Sequence, residues 1–329
     1  MKAVFYDLHR YEKKEIDKIP VPAGIEFQFL NDRLTEATVH AAAGAEVVCC
    51  FVNDDLGEAN LRSLHGLGVK LIALRSAGFN HVHLPTARSL GLHVVRVPEY
   101  SPHAVAEHAV ALLLTLNRKT HRAFNRVREG NFSLDGLVGF DLFKKKVGVV
   151  GLGRIGTAFA QIMNGFGAEV LGFDRDPGRA KASGVKFRSC DLETLFREAN
   201  VISLHVPLTS ETHHLVNESL FAVMKPGAVL INTSRGRLID TKAMITSLKH
   251  GRLGGAGLDV YEEEEGLFFE DHSLEPLPDE TLARLLTFPN VLMTSHQGFL
   301  TNEALCAIAE TTIASIQDFL LGNELRNKV

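Results

Sequence analysis

The glycine-rich segment at residues 145–156, KKVGVVGLGRIG, constrains the fold of this chain more than any other feature. A short apolar run leads directly into Gly151, Gly153 and Gly156, and the pattern TAFAQIMNGFG that follows is helical. A strand, a tight glycine turn and a helix N-terminus form a pyrophosphate site, because backbone N–H groups and the helix dipole face the anion. The segment therefore predicts a parallel α/β fold with a dinucleotide-binding βα unit.

The second half of this fingerprint is also present. Another apolar run, residues 168–173, ends in Asp174. An acid about twenty residues after the glycines hydrogen-bonds the ribose hydroxyls of NAD and repels the 2′-phosphate of NADP. Asp174 therefore favours NAD, although Arg175 beside it weakens a strict preference. The alternative is a glycine-rich βα turn in an α/β protein without a cofactor.

Length and composition exclude several other classes of protein. The 329 residues suffice for two domains, and 45% hydrophobic with 22% charged residues is typical of a globular protein. A net charge of −4 does not favour nucleic acid or an anionic membrane as a partner. The four cysteines show no pairing pattern, and the N-terminus resembles a strand rather than a signal peptide, so we expect a cytoplasmic protein. We expect no metal, because no Cys/His cluster has ligand spacing.

Two α/β units follow each other along the chain. Ser101 and Pro102 predict the start of a long apolar helix that extends to about His121 and links the units. The amphipathic helix at 300–322 has no strand after it and is expected to return to the first unit. The predicted strands are 3–6, 26–30, 46–52, 70–75 and 93–97 in the first unit, and 147–150, 169–174, 201–206, 228–233, 254–260 and 291–296 in the second.

We therefore expect an α/β protein with two Rossmann-like or flavodoxin-like parallel-sheet domains and a cleft between them. A discontinuous substrate domain would comprise residues 1–99 and 298–329. The NAD-binding Rossmann domain would comprise residues 100–297. Because ligands collect at the carboxyl ends of parallel strands, the active residues should lie at those ends, facing the cleft.

Three strands of the second unit end in reactive side chains. Arg235, in NTSRG, could grip a carboxylate with two hydrogen bonds, although a surface arginine explains it equally well. Four acids at 262–265 follow Asp259; most should be solvated, with at least one turned into the cleft. His296 closes the last strand. His205, in SLHVP, also ends a strand and competes with it.

Together these residues resemble the Arg/Glu/His triad of the D-2-hydroxyacid dehydrogenases, with Arg235 in NTSRG, Glu264 in DVYEEE and His296 in SHQG. The similarity covers essentially the whole chain and includes LRSAGFN, VPEYSPHAVAEHAVALLLTLNR, GLGRIG and HVPLT. The subgroup that the chain most resembles is the fermentative D-lactate dehydrogenases. The features in common are Tyr100 after VPE, the insertion at 266–273 and QGFLT after the histidine.

The resemblance implies NADH-dependent reduction of a 2-keto acid, with pyruvate to D-lactate as the expected reaction. Arg235 would hold the carboxylate and polarise the carbonyl, and His296 would donate the proton. Glu264 would hydrogen-bond the imidazole and favour its charged form, and Asp259 would tune the same pair. The other implied substrate contacts are Ala77, Gly78, Tyr100 and Phe299. The implied cofactor contacts are Gly151, Gly153, Arg154, Ile155, Gly156, Asp174, Val206, Pro207, Thr212, Thr233, Ser234 and Asp259.

Two alternatives remain open. The same chemistry could act on a bulkier 2-keto acid, because pocket size is not readable from the sequence. An NAD(H)-sensing binding protein, like the transcriptional corepressors that resemble these enzymes, could retain the triad, but this chain stops soon after the last helix and lacks a long tail for partners. The apolar helix at 103–117 and the resemblance both predict a homodimer or homotetramer.

Overall fold

In a computed structural model the chain forms two compact units. The first comprises Met1–Ser101 and Phe299–Val329, and the second comprises Pro102–Gly298. The structure describes residues 1–176, 178 and 184–329. Each unit is built around one parallel β-sheet, and the two are described in turn.

The sheet of the first unit has five parallel strands in the order β2-β1-β3-β4-β5, which is the flavodoxin-like order. The strands are β1 (Lys2–Phe5), β2 (Glu26–Phe29), β3 (Val47–Cys50), β4 (Leu71–Leu74) and β5 (His93–Val95). The first three helices are α1 (Arg10–Ile16), α2 (Glu58–Gly66) and α3 (Leu84–Ser89). Both faces of the sheet are buried, because Ala3 and Phe5 pack into one apolar cluster and Val4 and Tyr6 into another.

The sheet of the second unit has seven parallel strands in the order β12-β11-β10-β9-β6-β7-β8. The strands are β6 (Lys146–Val150), β7 (Glu169–Phe173), β8 (Arg188–Ser189), β9 (Val201–Leu204), β10 (Ala228–Asn232), β11 (Leu253–Leu258) and β12 (Val291–Met293). The helices are α4 (Pro102–Arg118), α5 (Thr120–Arg128), α6 (Arg154–Gly165), α7 (Leu192–Glu198), α8 (Glu218–Val223), α9 (Thr241–Lys249) and α10 (Glu280–Leu286). The order reverses between β6 and β9, as it does at the centre of a Rossmann fold.

The predicted α/β class with two parallel sheets is confirmed. Every predicted strand is present; most are shorter than predicted, and β1, β6 and β11 begin one residue earlier. The central strands were predictable because both of their faces are covered, so each is a continuous apolar run. The short strand β8 was missed. Its two residues, Arg188 and Ser189, are exposed and have no apolar pattern.

The linking helix is shorter than predicted. α4 ends at Arg118 because Lys119 adopts a φ of 51°, after which α5 begins at Thr120; the predicted end near His121 was wrong. The apolar residues of α4, including Ala109 and Leu113, lie in the core of the second unit. α4 packs there against α6, β10 and β11. Its composition therefore reflects packing inside the unit and does not indicate a contact with another subunit.

The last helix, α11 (Asn302–Leu321), belongs to the first unit and packs against α1 and β4. Among the described residues it is long and apolar enough to cross a membrane, with a mean hydropathy of 1.4. Its residues Ala309, Ile313 and Ile316 lie in the core of the first unit, and core helices commonly pass the same test. The composition of α11 is therefore only weak support for a membrane span.

Candidate active site

The glycine turn joins β6 to α6. Gly151 has a φ of 93°, and its N–H donates to the carbonyl oxygen of Phe173 at 2.8 Å. A Cβ on Gly156 would overlap the carbonyl oxygen of Gly151, so α6 approaches the strand this closely only because glycine stands there. Gly153 precedes α6 without a side-chain cap, and no described atom lies within 4 Å of the position its Cβ would take. The N-terminus of α6, with Arg154 and Ile155 in its first turn, therefore has room for a pyrophosphate.

Asp174 lies at the carboxyl end of β7, beside this turn. Its Oδ2 accepts a hydrogen bond from the N–H of Leu152 at 2.6 Å, and its Oδ1 accepts one from Asp176 at 2.8 Å. These bonds hold the carboxylate in place and leave further lone pairs for ribose hydroxyls. Arg175 forms an exposed ion pair with Glu211 at 2.6 Å. The Arg175 guanidinium, which could otherwise attract the 2′-phosphate of NADP, is thus paired with a carboxylate, although such surface ion pairs are weak.

The other predicted cofactor residues lie at the ends of β9 and β10. After β9, Val206 and Pro207 enter a turn that Thr212 closes, because its hydroxyl donates to the carbonyl oxygen of Pro207 at 2.6 Å. After β10, Ser234 Oγ donates to the carbonyl oxygen of Leu204 at 2.8 Å and joins the two strand ends. Thr233 is buried, and its hydroxyl has no hydrogen-bond partner in the described part of the chain.

Arg235 follows directly and is half-buried. Its Nη1 donates to the carbonyl oxygen of Ser234 at 2.6 Å, and its own carbonyl oxygen accepts from Asn232 Nδ2 at 2.9 Å. The backbone of Gly236 lies against the carbonyl group of Tyr261. The turn that carries Arg235 therefore abuts the acidic loop after β11.

His296 and Glu264 form a hydrogen-bonded pair, with 2.9 Å between the imidazole Nδ1 and the carboxylate Oε1. The second carboxylate oxygen accepts from the N–H of Tyr261 at 3.0 Å. His296 has a φ of 53°, in the left-handed region, which non-glycine residues adopt rarely and often at functional sites. The ring of Phe269, from the insertion after the acidic loop, lies 6.0 Å from the imidazole. The sequence indicated the insertion but not this contact.

Asp259 anchors the segment that carries His296. Its carbonyl oxygen accepts from the N–H of His296 at 2.6 Å. Its carboxylate accepts four hydrogen bonds of 2.6–3.1 Å, from His108, Thr294, Gln297 and Gly298. Burial alone would raise the pKa of Asp259, but the hydrogen bonds outweigh it and lower the pKa of this carboxyl. Sequence analysis missed His108, because a histidine inside an apolar helix gives no signal of a partner 151 residues away.

The acidic loop is less solvated than the sequence predicts. Glu262 accepts from His214 Nε2 at 2.6 Å and from the N–H of Thr241 at 3.1 Å, so it ties the loop to α9. Burial would raise the pKa of Glu262, but its hydrogen bonds with Thr241 and His214 lower it. Glu263 and Glu265 are exposed. Two of the four acids, Glu262 and Glu264, therefore support structure, because the loop folds back against the Arg235 turn and His296.

His205 occupies a different environment from His296. Its Nε2 lies 2.9 Å from Ser203 Oγ, its ring packs against Phe159 at 5.1 Å, and no described carboxylate pairs with it. Burial lowers the pKa of His205 to about 3. An imidazole that stays neutral cannot supply a proton near neutral pH, so the geometry favours His296 as the acid.

The predicted substrate residues of the first unit include two aromatic rings. Tyr100 and Phe299 lie 6.5 Å apart, and the ring of Phe51 lies 6.1 Å from that of Phe299. Phe51 was missed because the run at 46–52 carries only the signal of a buried strand. Ala77 and Gly78 lie half-buried in the loop after β4.

Fold and site together define an α/β protein with a Rossmann-type dinucleotide site and a histidine–carboxylate pair at neighbouring strand ends. The sequence profile described as D-isomer specific 2-hydroxyacid dehydrogenase, NAD binding domain, matches residues 110–298. The D-lactate dehydrogenase of Escherichia coli K12 is 48% identical over 330 residues, with 100% of both chains covered.

Solved structures show the same relationship. The pyruvate reductase of Chlamydomonas reinhardtii has a TM-score of 0.91 and 42% identity, covering 99% of this chain and 98% of that one. The D-lactate dehydrogenase of Aquifex aeolicus, solved with NAD and lactic acid, has a TM-score of 0.84 and 32% identity over the same shares.

This chain belongs to the D-isomer specific 2-hydroxyacid dehydrogenase family. It is an NAD-dependent oxidoreductase that interconverts 2-keto acids and 2-hydroxy acids.

Proposed function

We propose that this protein reduces pyruvate to D-lactate with NADH. The observation that carries the proposal is the pair of His296 and Glu264, 2.9 Å apart, in a unit whose glycine turn fits NAD. Full-length identity of 48% to a D-lactate dehydrogenase supports the same substrate. The aromatic rings of Phe51, Tyr100 and Phe299 pack together and favour a small acyl group over a bulky one.

The chain supplies the groups that reduction of a 2-keto acid requires. Bound NADH supplies the hydride for C2. Arg235 binds the carboxylate and polarises the C2 carbonyl, and the N–H groups of Ala77 and Gly78 also bind the carboxylate. His296 donates a proton to the developing alkoxide from Nε2, because Glu264 holds its Nδ1. In the reverse direction the same nitrogen accepts the proton.

The residues around α6 hold the cofactor in this proposal. The first turn of α6, from Gly153 to Gly156, binds the pyrophosphate. Asp174 accepts hydrogen bonds from the adenine ribose. Val206, Pro207, Thr212, Thr233 and Ser234, at the ends of β9 and β10, would contact the rest of the dinucleotide. Asp259 contributes mainly through its hold on the His296 segment, because protein donors occupy its carboxylate.

The test is a panel of 2-keto acids, from pyruvate to branched and aromatic analogues, assayed with NADH and NADPH and followed by chiral analysis of the product. We expect the highest kcat/KM for pyruvate with NADH, and D-lactate as the product. A higher kcat/KM for a bulky keto acid would show that pyruvate is not the preferred substrate. Binding of NADH without turnover of any keto acid would favour the alternative that the protein is an NAD(H)-sensing binding protein.

Arg235→Lys tests the substrate anchor. The substitution keeps the charge but removes the planar fork, so KM for pyruvate should rise and kcat should fall together. Arg237→Lys is the matched control, because Arg237 is exposed and pairs with Glu263 at the surface. Wild-type kinetics in Arg235→Lys would make Arg235 a structural residue.

We also propose that the protein is cytoplasmic and forms a homodimer or larger homo-oligomer. Large apolar side chains are exposed on and after α5, where α4 ends. They are Phe124, Val127, Phe132, Leu134, Val138 and Phe143, each at least 54% exposed. Such a group of apolar side chains is typical of a protein contact. Light scattering of wild type and of Phe132→Ser/Val138→Ser tests it: wild type should be at least dimeric and the variant smaller.

A further inference from the structure

We propose that Arg96 is a positioning residue for substrate binding, because it orients and polarises a peptide group that binds the substrate carboxylate. The inference rests on the proposed function, which assigns that carboxylate in part to the N–H groups of Ala77 and Gly78. Arg96 follows β5 and lies in the first unit, as does the loop.

The loop after β4 has its carbonyl groups occupied and its N–H groups available. The carbonyl oxygen of Ser76 accepts from the N–H of Val97 at 3.0 Å. That of Ala77 accepts from Arg96 Nη1 at 2.7 Å, and that of Gly78 accepts from Ser76 Oγ at 2.7 Å. Within the part of the chain that the structure describes, the N–H groups of Ala77 and Gly78 donate to no protein acceptor. Fixed carbonyls and available donors make this loop suited to an anion.

Arg96 acts on the loop through its charge as well as its hydrogen bond. The Ala77 carbonyl belongs to the same peptide group as the Gly78 N–H, so a cation on the oxygen strengthens that N–H as a donor. Arg96 forms no ion pair with a carboxylate among the described residues, and its charge therefore remains available to an incoming anion. Its guanidinium also lies over the Phe79 ring, with 5.2 Å from Cζ to the ring centre. Two contacts on one loop hold the guanidinium in place.

Arg75, the other arginine next to this loop, does not share the role. Its guanidinium is fully buried and pairs with Glu12 at 2.8 Å. Its remaining donors bind the carbonyl oxygens of Tyr6, Asp7 and Cys49, outside the loop. The charge of Arg75 is therefore neutralised within the protein, which leaves Arg96 as the cation that acts on the Ala77–Gly78 peptide.

Three substitutions separate charge from hydrogen bonding. Arg96→Lys keeps the charge and can donate one hydrogen bond but loses the planar fork. Arg96→Gln keeps a donor and loses the charge, and Arg96→Met loses both. Arg88→Met is the matched control, because Arg88 is exposed on α3 in the same unit. Each full-length variant is assayed for kcat, for KM of pyruvate and NADH, and for binding of oxamate, an unreactive carboxylate analogue of pyruvate.

We expect Arg96→Met to raise KM for pyruvate and the Kd of oxamate by about tenfold, the effect of one lost charge-assisted hydrogen bond. The NADH KM and the thermal midpoint should stay at the wild-type values, and kcat should change less than KM. The order of KM should be wild type, then Lys, then Gln, then Met. Methyl pyruvate, which has no charge, should show no comparable loss.

An unchanged oxamate Kd in Arg96→Met, or an equal loss with methyl pyruvate, would overturn the inference while pyruvate reduction by the wild type left the proposed function intact. An equal loss in Arg88→Met would also overturn it, because the effect would then be a general one of surface charge. Failure of the wild type to reduce any 2-keto acid would instead remove the proposed function, and this inference with it.

Discussion

The carboxyl ends of the two parallel sheets are constructed in opposite ways. In the second unit the central part of this edge is built from backbone: a glycine turn after β6 and the uncapped N-terminus of α6. In the first unit the buried side chain of Arg75 fills the corresponding edge of the sheet. Arg75, after β4, donates to the carbonyl oxygens of Tyr6 and Asp7 after β1, to that of Cys49 in β3, and to Glu12 of α1. The same architecture therefore leaves space for a dinucleotide in one unit and closes it in the other.

A second buried charge reinforces the closed edge. Asp54 accepts hydrogen bonds from the N–H groups of Leu34 and Phe51 at 2.6 Å each. Burial raises the pKa of Asp54 to about 7, against the effect of these bonds. The difference between the edges teaches that a strand end can take a dinucleotide only where its own side chains leave room, as the glycines after β6 do and Arg75 after β4 does not. In the first unit the half-buried Ala77 and Gly78, in the loop after β4, are the residues that we assign to substrate binding.

The largest expected effect comes from the histidine at the open edge. His296→Asn should lower kcat for pyruvate reduction by about 10²–10⁴-fold, because the proton donor is lost. Asparagine is chosen because it tolerates the left-handed backbone at this position better than alanine. NADH affinity, measured by fluorescence titration, should be unchanged. Activity within the wild-type range would exclude His296 as the acid.

Removal of Arg75 should destabilise the first unit. Arg75→Met leaves the buried Glu12 without its charged partner, which should cost about 3–5 kcal/mol of unfolding free energy. Urea unfolding followed by circular dichroism measures the loss, and Arg75→Met/Glu12→Gln should recover part of it. NADH affinity should persist at urea concentrations that unfold the first unit. Loss of NADH binding together with the first transition would mean that the units do not unfold separately.

Cofactor choice tests the open edge. Asp174→Ala removes a carboxylate that would face the 2′-phosphate of NADPH, and like charges in contact cost several kcal/mol. The ratio of kcat/KM for NADH over NADPH should therefore fall in the variant, mainly because NADPH improves. Asp176→Ala is the control, since Asp176 bonds to Asp174 through its backbone alone. Equal use of both cofactors by the wild type would contradict the assignment of Asp174.

The carboxylate behind His296 should hold the imidazole in its catalytic orientation. Glu264 bonds to Nδ1, which leaves Nε2 to carry the proton that pyruvate reduction needs. Glu264→Gln weakens this charge-assisted hydrogen bond, so kcat should fall more than KM for pyruvate rises. Glu263→Gln, an exposed neighbour, should keep the wild-type kinetics. Equal kcat in Glu264→Gln and wild type would show that the acidic loop plays no part in catalysis.

The smallest effect concerns His205, beneath the glycine turn. Its folded pKa of about 3 lies below the ordinary value of 6.5, so the unfolded chain gains a proton that the native state does not. Native stability should therefore fall as the pH drops from about 6.5 towards 3, and this contribution should be absent in His205→Gln. The difference in thermal midpoint between pH 8 and pH 5 should be smaller in the variant. An equal difference in both proteins would show that His205 is protonated in the native state.

Local patterns in the sequence were sufficient to predict the strands of the two sheets, the glycine turn and the position of Asp174. Each of these features depends on residues that are close together in the sequence. The triad of Arg235, Glu264 and His296 was predicted from resemblance rather than from spacing and stays a prediction, although the structure pairs Glu264 with His296. Arg235, Glu264 and His296 lie far apart in the sequence, on the ends of different strands. No periodicity connects residues at such separations.

Only the tertiary structure decided which polar groups meet. It paired His108 with Asp259, tied Glu262 to His214, turned His205 inward and placed Arg96 on the Ala77 carbonyl. All of these contacts except that of His205 with Ser203 join residues that are far apart in the sequence. The sequence determines which segments become strands and which turns need glycine, because those depend on neighbouring residues. The partner of a buried or half-buried polar side chain depends on how the finished sheet orders its strands, and that order becomes known only when the chain has folded.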